Sequence, residues 1–305
     1  MGMLGASALT AGPAAAQPAS ALGGNRLILL GTRGGPLVNG PAPTPSANVI
    51  VFEGAPYVVD TGYGVTLKLL AAGVPLDSLG KIFITHHHSD HNLELGALLT
   101  NAWMAGLKSG VDVYGPHGLD ELLAGWWAAN RFDIETRIAD EGRPDIRRLT
   151  SAHEFSQGPV AQAGNVRVTA LRNRHPPVTE SYALKFELGQ RTIVFSGDTT
   201  YFPPLADFAR GADLLVHEVL YGPGLDAMVA RRANAARLQS SILSHHTLVE
   251  DAGRIAQAAQ VKTLVLNHFV PGDDPALSPQ VWARAAATTF SGRIVVGRDL
   301  LALPL

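Results

Sequence analysis

Four histidines and one aspartate within six residues form the part of the sequence best equipped for chemistry: the run His86–His91 reads HHHSDH. In one tight loop, His86 and His88 can point to one metal ion while Asp90 and His91 turn towards a second. Imidazole and carboxylate groups suit a borderline cation such as zinc and leave positions open to water. Four ligands do not complete two sites, so the loop requires partners from later in the chain.

Residues of the same chemical types follow the ends of other apolar runs. They are Asp60, His175, Asp198, His217, Glu218 and His268. Strand ends at one edge of a rigid scaffold are where side chains reach a shared cleft. A solvated, histidine-rich surface loop would account for the first cluster but would leave Asp198 and the later histidines unexplained. We therefore expect His175, Asp198 and His268 to complete the metal site.

The chain after residue 25 alternates between patterns typical of strands and of helices. Apolar runs predict strands over 27–30, 47–52, 57–59, 81–85, 111–114, 166–171, 182–188, 192–196, 214–217, 264–267 and 293–296. Helical spacing predicts helices over 65–72, 93–107, 119–130, 248–259 and 279–289. This order predicts a mixed α/β fold, with two mixed β-sheets packed face to face and helices outside, as a four-layer αβ/βα sandwich. Since no long linker interrupts it, we expect one domain over residues 25–305.

Composition limits the classes of protein to which the chain can belong. The 305 residues include no cysteine, which excludes disulfides, thiol catalysis and thiolate metal sites, so that any metal must be held by His and carboxylate groups. The 24 basic and 26 acidic residues give a formal net charge of −2. A strongly basic nucleic-acid binder is therefore not expected.

The N-terminal segment differs from the rest in composition. Residues 1–20 carry no charge and many small side chains. A short apolar region followed by small residues resembles the second half of a secretory signal peptide, although the basic region that should precede it is missing. We expect residues 1–24 to be the remnant of an export leader, which predicts a periplasmic or secreted protein. The alternative is a disordered tail on a cytoplasmic protein. No other uncharged apolar run approaches the roughly 20 residues of a membrane span.

The sequence resembles the metallo-β-lactamase superfamily over nearly all of residues 26–298. The matching residues are Asp60, Thr85–His91, His175, Gly197–Thr199 and Asn267–Phe269. The resemblance implies two adjacent metal ions, one held by His86, His88 and His175 and the other by Asp90, His91 and His268, with Asp198 bridging them. It also implies that Asp60 orients a metal-bound histidine. The implied cofactors are two Zn²⁺ ions, with Mn²⁺ or iron as alternatives.

Further motifs are similar to one branch of that superfamily, namely the tRNA 3′-processing endonucleases and the arylsulfatases and phosphodiesterases that share their core. These motifs are Leu30–Gly35, His217–Glu218 and Ser244–Thr247, and residues 83–92 look closest to the arylsulfatases. The resemblance implies that Asp90 orients the attacking water or accepts its proton. It also implies that His245 assists the leaving group, with Glu218 holding the tautomer of His245. In another register of this loop, His245 and His246 would exchange roles.

These features predict a dinuclear metal hydrolase of small anionic esters, such as aryl or alkyl sulfates or phosphodiesters. The alternatives are a tRNA 3′-processing endonuclease and a β-lactam or lactone hydrolase. A nuclease of this kind normally carries an extra basic arm rich in Gly and Pro, which we do not find over residues 114–175. Together with the net charge and the N-terminus, this leads us to expect a small anionic ester, and not nucleic acid, as the partner. Such cores often dimerise, so a homodimer is one of the oligomeric states that the sequence leaves open.

Overall fold

A computed structural model of the protein describes residues 22–38, 40, 42–107, 109–230, 234–272 and 274–305. Residues 1–21 of the expected leader or tail lie outside the described residues, and export of the chain stays a prediction.

The first sheet contains seven strands. They are β1 (Arg26–Gly31), β2 (Ala47–Phe52), β3 (Ala55–Thr61), β4 (Lys81–Phe83), β5 (Val111–Gly115), β6 (Thr150–Glu154) and β14 (Leu301–Pro304). Their order is β14-β1-β2-β3-β4-β5-β6. The pairs from β14 to β3 are antiparallel and those from β3 to β6 are parallel, so the sheet is mixed.

The second sheet also contains seven strands. They are β7 (Gly158–Ala163), β8 (Val166–Arg172), β9 (Tyr182–Leu188), β10 (Arg191–Phe195), β11 (Leu214–Leu220), β12 (Thr263–Val270) and β13 (Arg293–Val296). Their order is β13-β12-β11-β10-β9-β8-β7. The strands β7 to β10 pair antiparallel and β10 to β13 pair parallel.

Helices accompany each sheet in chain order. The first six are α1 (Val65–Ala71), α2 (Ser89–Asn92), α3 (Leu95–Met104), α4 (Leu119–Ala129), α5 (Arg131–Glu141) and α6 (Ile146–Leu149), with a short 3₁₀ helix at Leu76–Ser78. The others are α7 (Pro204–Phe208), α8 (Gly222–Val229), α9 (Ala235–His245), α10 (Val249–Ala259) and α11 (Pro279–Ala287). Within the described ranges, none of these helices has the length and apolar character needed to cross a membrane.

Apolar side chains on both faces of the strands hold the layers together. In β1, Leu27 and Leu29 lie in the core between the two sheets, whereas Ile28 and Leu30 lie in the core between the first sheet and its helices. This follows from the pleat of a strand, which sends successive side chains to opposite faces. Helices α7, α10 and α11 cover the outer face of the second sheet in the same way. The structure thus has the four layers and two mixed sheets that the sequence predicts.

Several elements differ from the sequence-based expectation because their sequences carry little apolar periodicity. The charged helix α5 is largely exposed, and Arg137 forms ion pairs one turn away with Asp133 and Glu141. Such pairs support a solvated helix without an apolar face. The strand β6 is likewise mostly exposed at the edge of its sheet. Neither element therefore has the regularly spaced apolar residues from which a sequence predicts a buried helix or strand.

The parallel strands place their carboxyl ends along one edge of the two sheets, which is where ligands bind in α/β folds. The predicted site residues lie there: Asp60 in β3, the histidine-rich loop after β4, and Asp198 after β10. Glu218 lies in the second half of β11 and His268 near the end of β12. The fold therefore collects residues that are far apart in the sequence.

Candidate metal centre

The structure brings together all seven side chains that were expected to bind metal. They form a first cluster, of His86, His88, His175 and Asp198, and a second cluster, of Asp90, His91, Asp198 and His268. Within each cluster, one potential ligand atom from every residue lies within 4.8 Å of the others. Asp198 belongs to both clusters, so its carboxylate lies between them.

The spacing in the first cluster is close to that around a tetrahedral ion. His88 Nδ1 lies 3.1 Å from His175 Nε2. Asp198 Oδ2 lies 3.9 Å from His86 Nε2 and 4.0 Å from His175 Nε2. Nitrogen ligands about 2.0–2.1 Å from a tetrahedral zinc ion lie roughly 3.3–3.4 Å apart. Small side-chain adjustments would therefore place these atoms around one ion.

The second cluster is more compact. His268 Nε2 lies 3.2 Å from Asp198 Oδ2 and 3.3 Å from Asp90 Oδ2. His91 Nε2 lies 3.3 Å from Asp198 Oδ1, which is the other oxygen of the shared carboxylate. Because Oδ2 of Asp198 also faces His86 and His175 of the first cluster, the carboxylate is placed to serve two ions at once.

Unpaired nitrogen atoms show that the donor set fits a cation. His86 Nε2 and His91 Nε2 are fully buried and have no hydrogen-bond partner among the described residues. An unpaired polar atom costs free energy when it is shielded from water. A metal ion would satisfy both atoms, and the cysteine-free set of imidazoles and carboxylates suits zinc, manganese or iron.

The backbone around the histidine-rich loop separates ligands from supporting residues. His88 has extended backbone, and the short helix α2 begins directly after it, which carries Asp90 and His91 towards the second cluster. His87 points away from both clusters, and its Nε2 lies 3.2 Å from the carbonyl oxygen of Pro116. The two clusters therefore draw on opposite ends of one six-residue loop.

Asp60 lies behind His91 and fixes its orientation. Asp60 Oδ2 lies 2.8 Å from His91 Nδ1, while Asp60 Oδ1 accepts a 2.8 Å hydrogen bond from the backbone N–H of Thr85. A carboxylate on Nδ1 keeps the proton there and leaves Nε2 free to bind an ion. His175 is held similarly, since its Nδ1 lies 3.0 Å from the carbonyl oxygen of His245. The position of Asp60 is the one that its expected role requires.

The surroundings keep the carboxylates charged. Burial raises the pKa of Asp198, but His268 and His91 outweigh this effect and hold that pKa well below its usual value. Burial likewise raises the pKa of Asp90, and the same two histidines hold it below its usual range. Burial lowers the pKa of His86, and the neighbouring His91 lowers it further. Ionised carboxylates and a neutral imidazole are the forms that bind a metal ion.

The loop 31–35 forms part of the site in a way that the sequence analysis did not predict. The backbone N–H of Gly35 donates a 2.9 Å hydrogen bond to Asp90 Oδ2. A Cβ atom at Gly34 would lie 2.9 Å from the ring of His268, so the loop can pass over that imidazole only with glycine there. The glycine-rich motif was visible in the sequence, but its contact with the second cluster was not.

Glu218 contacts a different histidine from the one expected. Its Oε2 lies 3.1 Å from Nδ1 of His246, not of His245, so the expected pairing of Glu218 with His245 is wrong. Helix α9 ends at His245 and the backbone becomes extended at His246, which directs the second ring towards Glu218. Glu218 Oε1 accepts hydrogen bonds from the backbone N–H groups of Thr199 and Thr247, at 3.0 and 3.2 Å, which fix the carboxylate.

Glu218 also changes the acidity of its partner. Burial lowers the pKa of His246, but the charge of Glu218 and the hydrogen bond to it outweigh this effect and raise the pKa to about 9. His246 lies beside both clusters, with ring centroids 5.6 Å from His175 and 5.5 Å from His268. The result is a cationic imidazole next to the candidate metal site.

A cavity of about 480 Å³ opens onto these groups. The polar part of its lining includes His88, Asp90, His175, Asp198, His245 and His246. This volume lies within the range of about 300–1,000 Å³ that is typical of small-molecule sites. Both clusters are therefore accessible to a substrate.

Comparison with known proteins identifies relatives over most of the chain. The family described as "Beta-lactamase superfamily domain" matches residues 57–269. A protein named Ribonuclease Z from Mycobacterium bovis strain BCG is 34% identical over 278 residues, which are 90% of this chain and 96% of that protein. Among solved structures, the metallo-beta-lactamase fold protein YhfI from Bacillus subtilis has a TM-score of 0.67 at 23% identity, covering 92% of this chain and 98% of its own. The short form of human tRNase Z has a TM-score of 0.63 at 20% identity, covering 91% and 98%.

These relatives correct two expectations from the sequence. The expected hydrolysis of small anionic esters is wrong, because relatives that match most of the chain are named Ribonuclease Z, which agrees with the alternative of a tRNA 3′-processing endonuclease. The exclusion of nucleic acid as a partner is wrong for the same reason. That expectation rested on the missing basic arm over residues 114–175, on the N-terminus and on a net charge of −2, which averages the whole surface. Affinity for a phosphate backbone depends on the local contacts instead.

Replacing Asp60 tests the support of the second cluster. In Asp60→Asn, the amide can donate to His91 Nδ1 and so favour the tautomer with a protonated Nε2. We expect the affinity for Zn²⁺ to fall by about 10–100-fold, measured by competition with a chromophoric chelator at constant pH. The matched control is Asp140→Asn, the same change at an exposed position of α5. Equal affinities in wild type and Asp60→Asn would contradict the role assigned to Asp60.

Proposed function

Because the chain belongs to the metallo-β-lactamase superfamily, we propose that it is a metal-dependent endonuclease that hydrolyses a phosphodiester bond at the 3′ end of tRNA precursors. The observation that carries the reaction class is the Asp198 carboxylate shared by two chelating clusters beside an open cavity. Support for RNA as the substrate comes from the 34% identity to Ribonuclease Z, which extends over nearly the full length of both chains.

The two clusters would hold two divalent cations, with Zn²⁺ as the first candidate and Mn²⁺ or iron as alternatives. Cations bound there lower the pKa of water, so that a nucleophile is available at neutral pH, and they neutralise negative charge on the phosphodiester. His86, His88 and His175 would bind on one side of Asp198, and Asp90, His91 and His268 on the other.

Asp90 would orient the attacking water. Its Oδ2 accepts a hydrogen bond from the backbone N–H of Gly35 and lies near His268, and the Asp90 side chain lines the cavity. The low pKa of Asp90 makes its carboxylate a weak base. We therefore assign Asp90 to accepting a hydrogen bond that aligns the water rather than to removing the proton completely.

His246 would protonate the oxygen of the leaving group. Glu218 accepts the hydrogen bond from His246 Nδ1, which leaves His246 Nε2 to donate a proton into the cavity. A general acid acts only below its pKa, and a pKa raised to about 9 keeps His246 protonated at neutral pH. Glu218 is thus a positioning residue, which acts through the orientation and the charge of His246.

The direct test is cleavage of a tRNA precursor that carries a 3′ trailer. We expect the zinc-loaded chain to release the trailer by one internal cut, and a chelator to abolish the activity until Zn²⁺ is restored. Asp198→Asn should lower kcat/KM by about a hundredfold or more, because it removes the shared carboxylate. Asp140→Asn is the charge-matched control and should cleave like wild type. A zinc-loaded wild-type chain that leaves the precursor intact would overturn the proposal.

The leaving-group role of His246 predicts dependence on the substrate. His246→Ala should lower kcat/KM for RNA by about 10²–10⁴-fold, because an alkoxide is a poor leaving group without a proton. The loss should be much smaller for bis(4-nitrophenyl) phosphate, whose phenolate leaves unprotonated. His245→Ala, measured in parallel, should show a smaller loss on RNA. A larger loss of kcat/KM on RNA in His245→Ala than in His246→Ala would assign the role of general acid to His245.

The Glu218 carboxylate predicts a change in the pH profile. Glu218→Gln removes the charge that raises the pKa of His246, so that this pKa must fall. Since the protonated imidazole is the active form, kcat/KM for RNA should begin to decline at a lower pH on the alkaline side than in wild type. Titration of kcat/KM from pH 6 to pH 10 measures the shift. An unchanged alkaline limb would show that Glu218 does not act through His246.

A further inference from the structure

We propose that helices α8 and α9 form a binding wall for one unpaired nucleoside of the RNA, adjacent to the phosphate that is cleaved. The wall consists of Met228, Leu238 and Ile242, which line the same cavity as the polar groups of the two clusters. This inference rests on the proposed function and assigns a subsite to it.

The wall is apolar, and packing against buried residues beneath it holds its side chains in place. Met228, Leu238 and Ile242 are half-buried and pack on a cluster that includes Leu220 and Leu225. Gln239 Nε2 donates a 2.6 Å hydrogen bond to Asp226 Oδ1, which joins α9 to α8. Apolar side chains that are held in place at the edge of a cavity offer a preformed surface for an apolar ligand.

The polar and the apolar parts of the cavity lining match the two chemically different parts of a nucleotide. The imidazoles and carboxylates, once they hold cations, suit the phosphate, and the wall suits the apolar face of a base. Enzymes that modify a base hold that base, taken out of the stack, between aromatic or apolar side chains, which shows that such side chains can bind an unpaired base. Stacking and apolar contact do not distinguish one base from another, because every base has an apolar face. The wall should therefore recognise the presence of an unpaired base, with little preference for its identity.

The wall is also connected to the proposed acid. Helix α9 carries Leu238 and Ile242 and ends at His245, and the N–H of His246 donates a 3.1 Å hydrogen bond to the carbonyl oxygen of Ile242. A base that rests on this helix is thereby placed at a fixed distance from the imidazole of His246. Binding of the base and placement of the leaving group would share one rigid element.

The test uses single-stranded RNA extensions in which one nucleotide, on either side of the cleavage position, is abasic. For the wild-type chain, we expect the abasic nucleotide to lower kcat/KM by about tenfold on one of the two sides. In Leu238→Ala, the ratio of kcat/KM for intact RNA to kcat/KM for abasic RNA should fall towards one. Met228→Ala should lower this ratio as well. Each ratio is measured within one variant, so partial loss of folded protein does not affect it.

Leu243→Ala is the matched control, because Leu243 lies on the same helix, is 43% exposed and does not line the cavity. It should keep the wild-type ratio. Equal cleavage of intact and abasic RNA by the wild type, or the same change in Leu238→Ala and Leu243→Ala, would overturn the nucleoside wall while leaving the endonuclease proposal in place. Failure of the wild type to cleave any RNA would instead refute the proposed function, and the inference with it.

Discussion

The shared carboxylate of Asp198 is the constraint on which the rest of the site depends. It is buried and ionised between two sets of imidazoles, and a lone buried charge of this kind would be costly. The surrounding histidines offset that cost in the absence of ions, and bound cations would do so more completely. Since these histidines lie in and next to the loop after β4, in the loop after β8 and in β12, the two sheets must pack in one relative position for the clusters to exist. The apolar core between the sheets therefore determines the geometry of the metal centre.

A second layer of carboxylates gives two of the imidazoles a defined direction. Asp60 holds His91, and Glu218 holds His246 while also accepting hydrogen bonds from backbone N–H groups. Both carboxylates are buried, so their hydrogen bonds are shielded from competing water. The same principle serves two purposes: Asp60 supports a candidate metal ligand, whereas Glu218 maintains a charged imidazole next to the cavity. The α8–α9 wall then adds a surface that neither cluster could supply.

The sequence predicts the chemistry of the site better than its fine geometry. Residue types and their positions after apolar strands were enough to select the seven side chains of the clusters. The partner of Glu218 could not be predicted, because the exact residue at which α9 ends decides whether His245 or His246 turns inward. The helix α5 was missed because charge pairs rather than burial accompany it. The substrate class was missed because neither the net charge nor the missing basic arm over residues 114–175 reports how an RNA backbone is contacted.

The most direct measurement of the central claim is an anomalous difference map, recorded at the zinc absorption edge from crystals of the zinc-loaded chain. The account predicts two peaks about 3.5–4 Å apart, one within each cluster, with the carboxylate of Asp198 between them. A map without peaks in the clusters, or with zinc bound only by residues outside them, would contradict it.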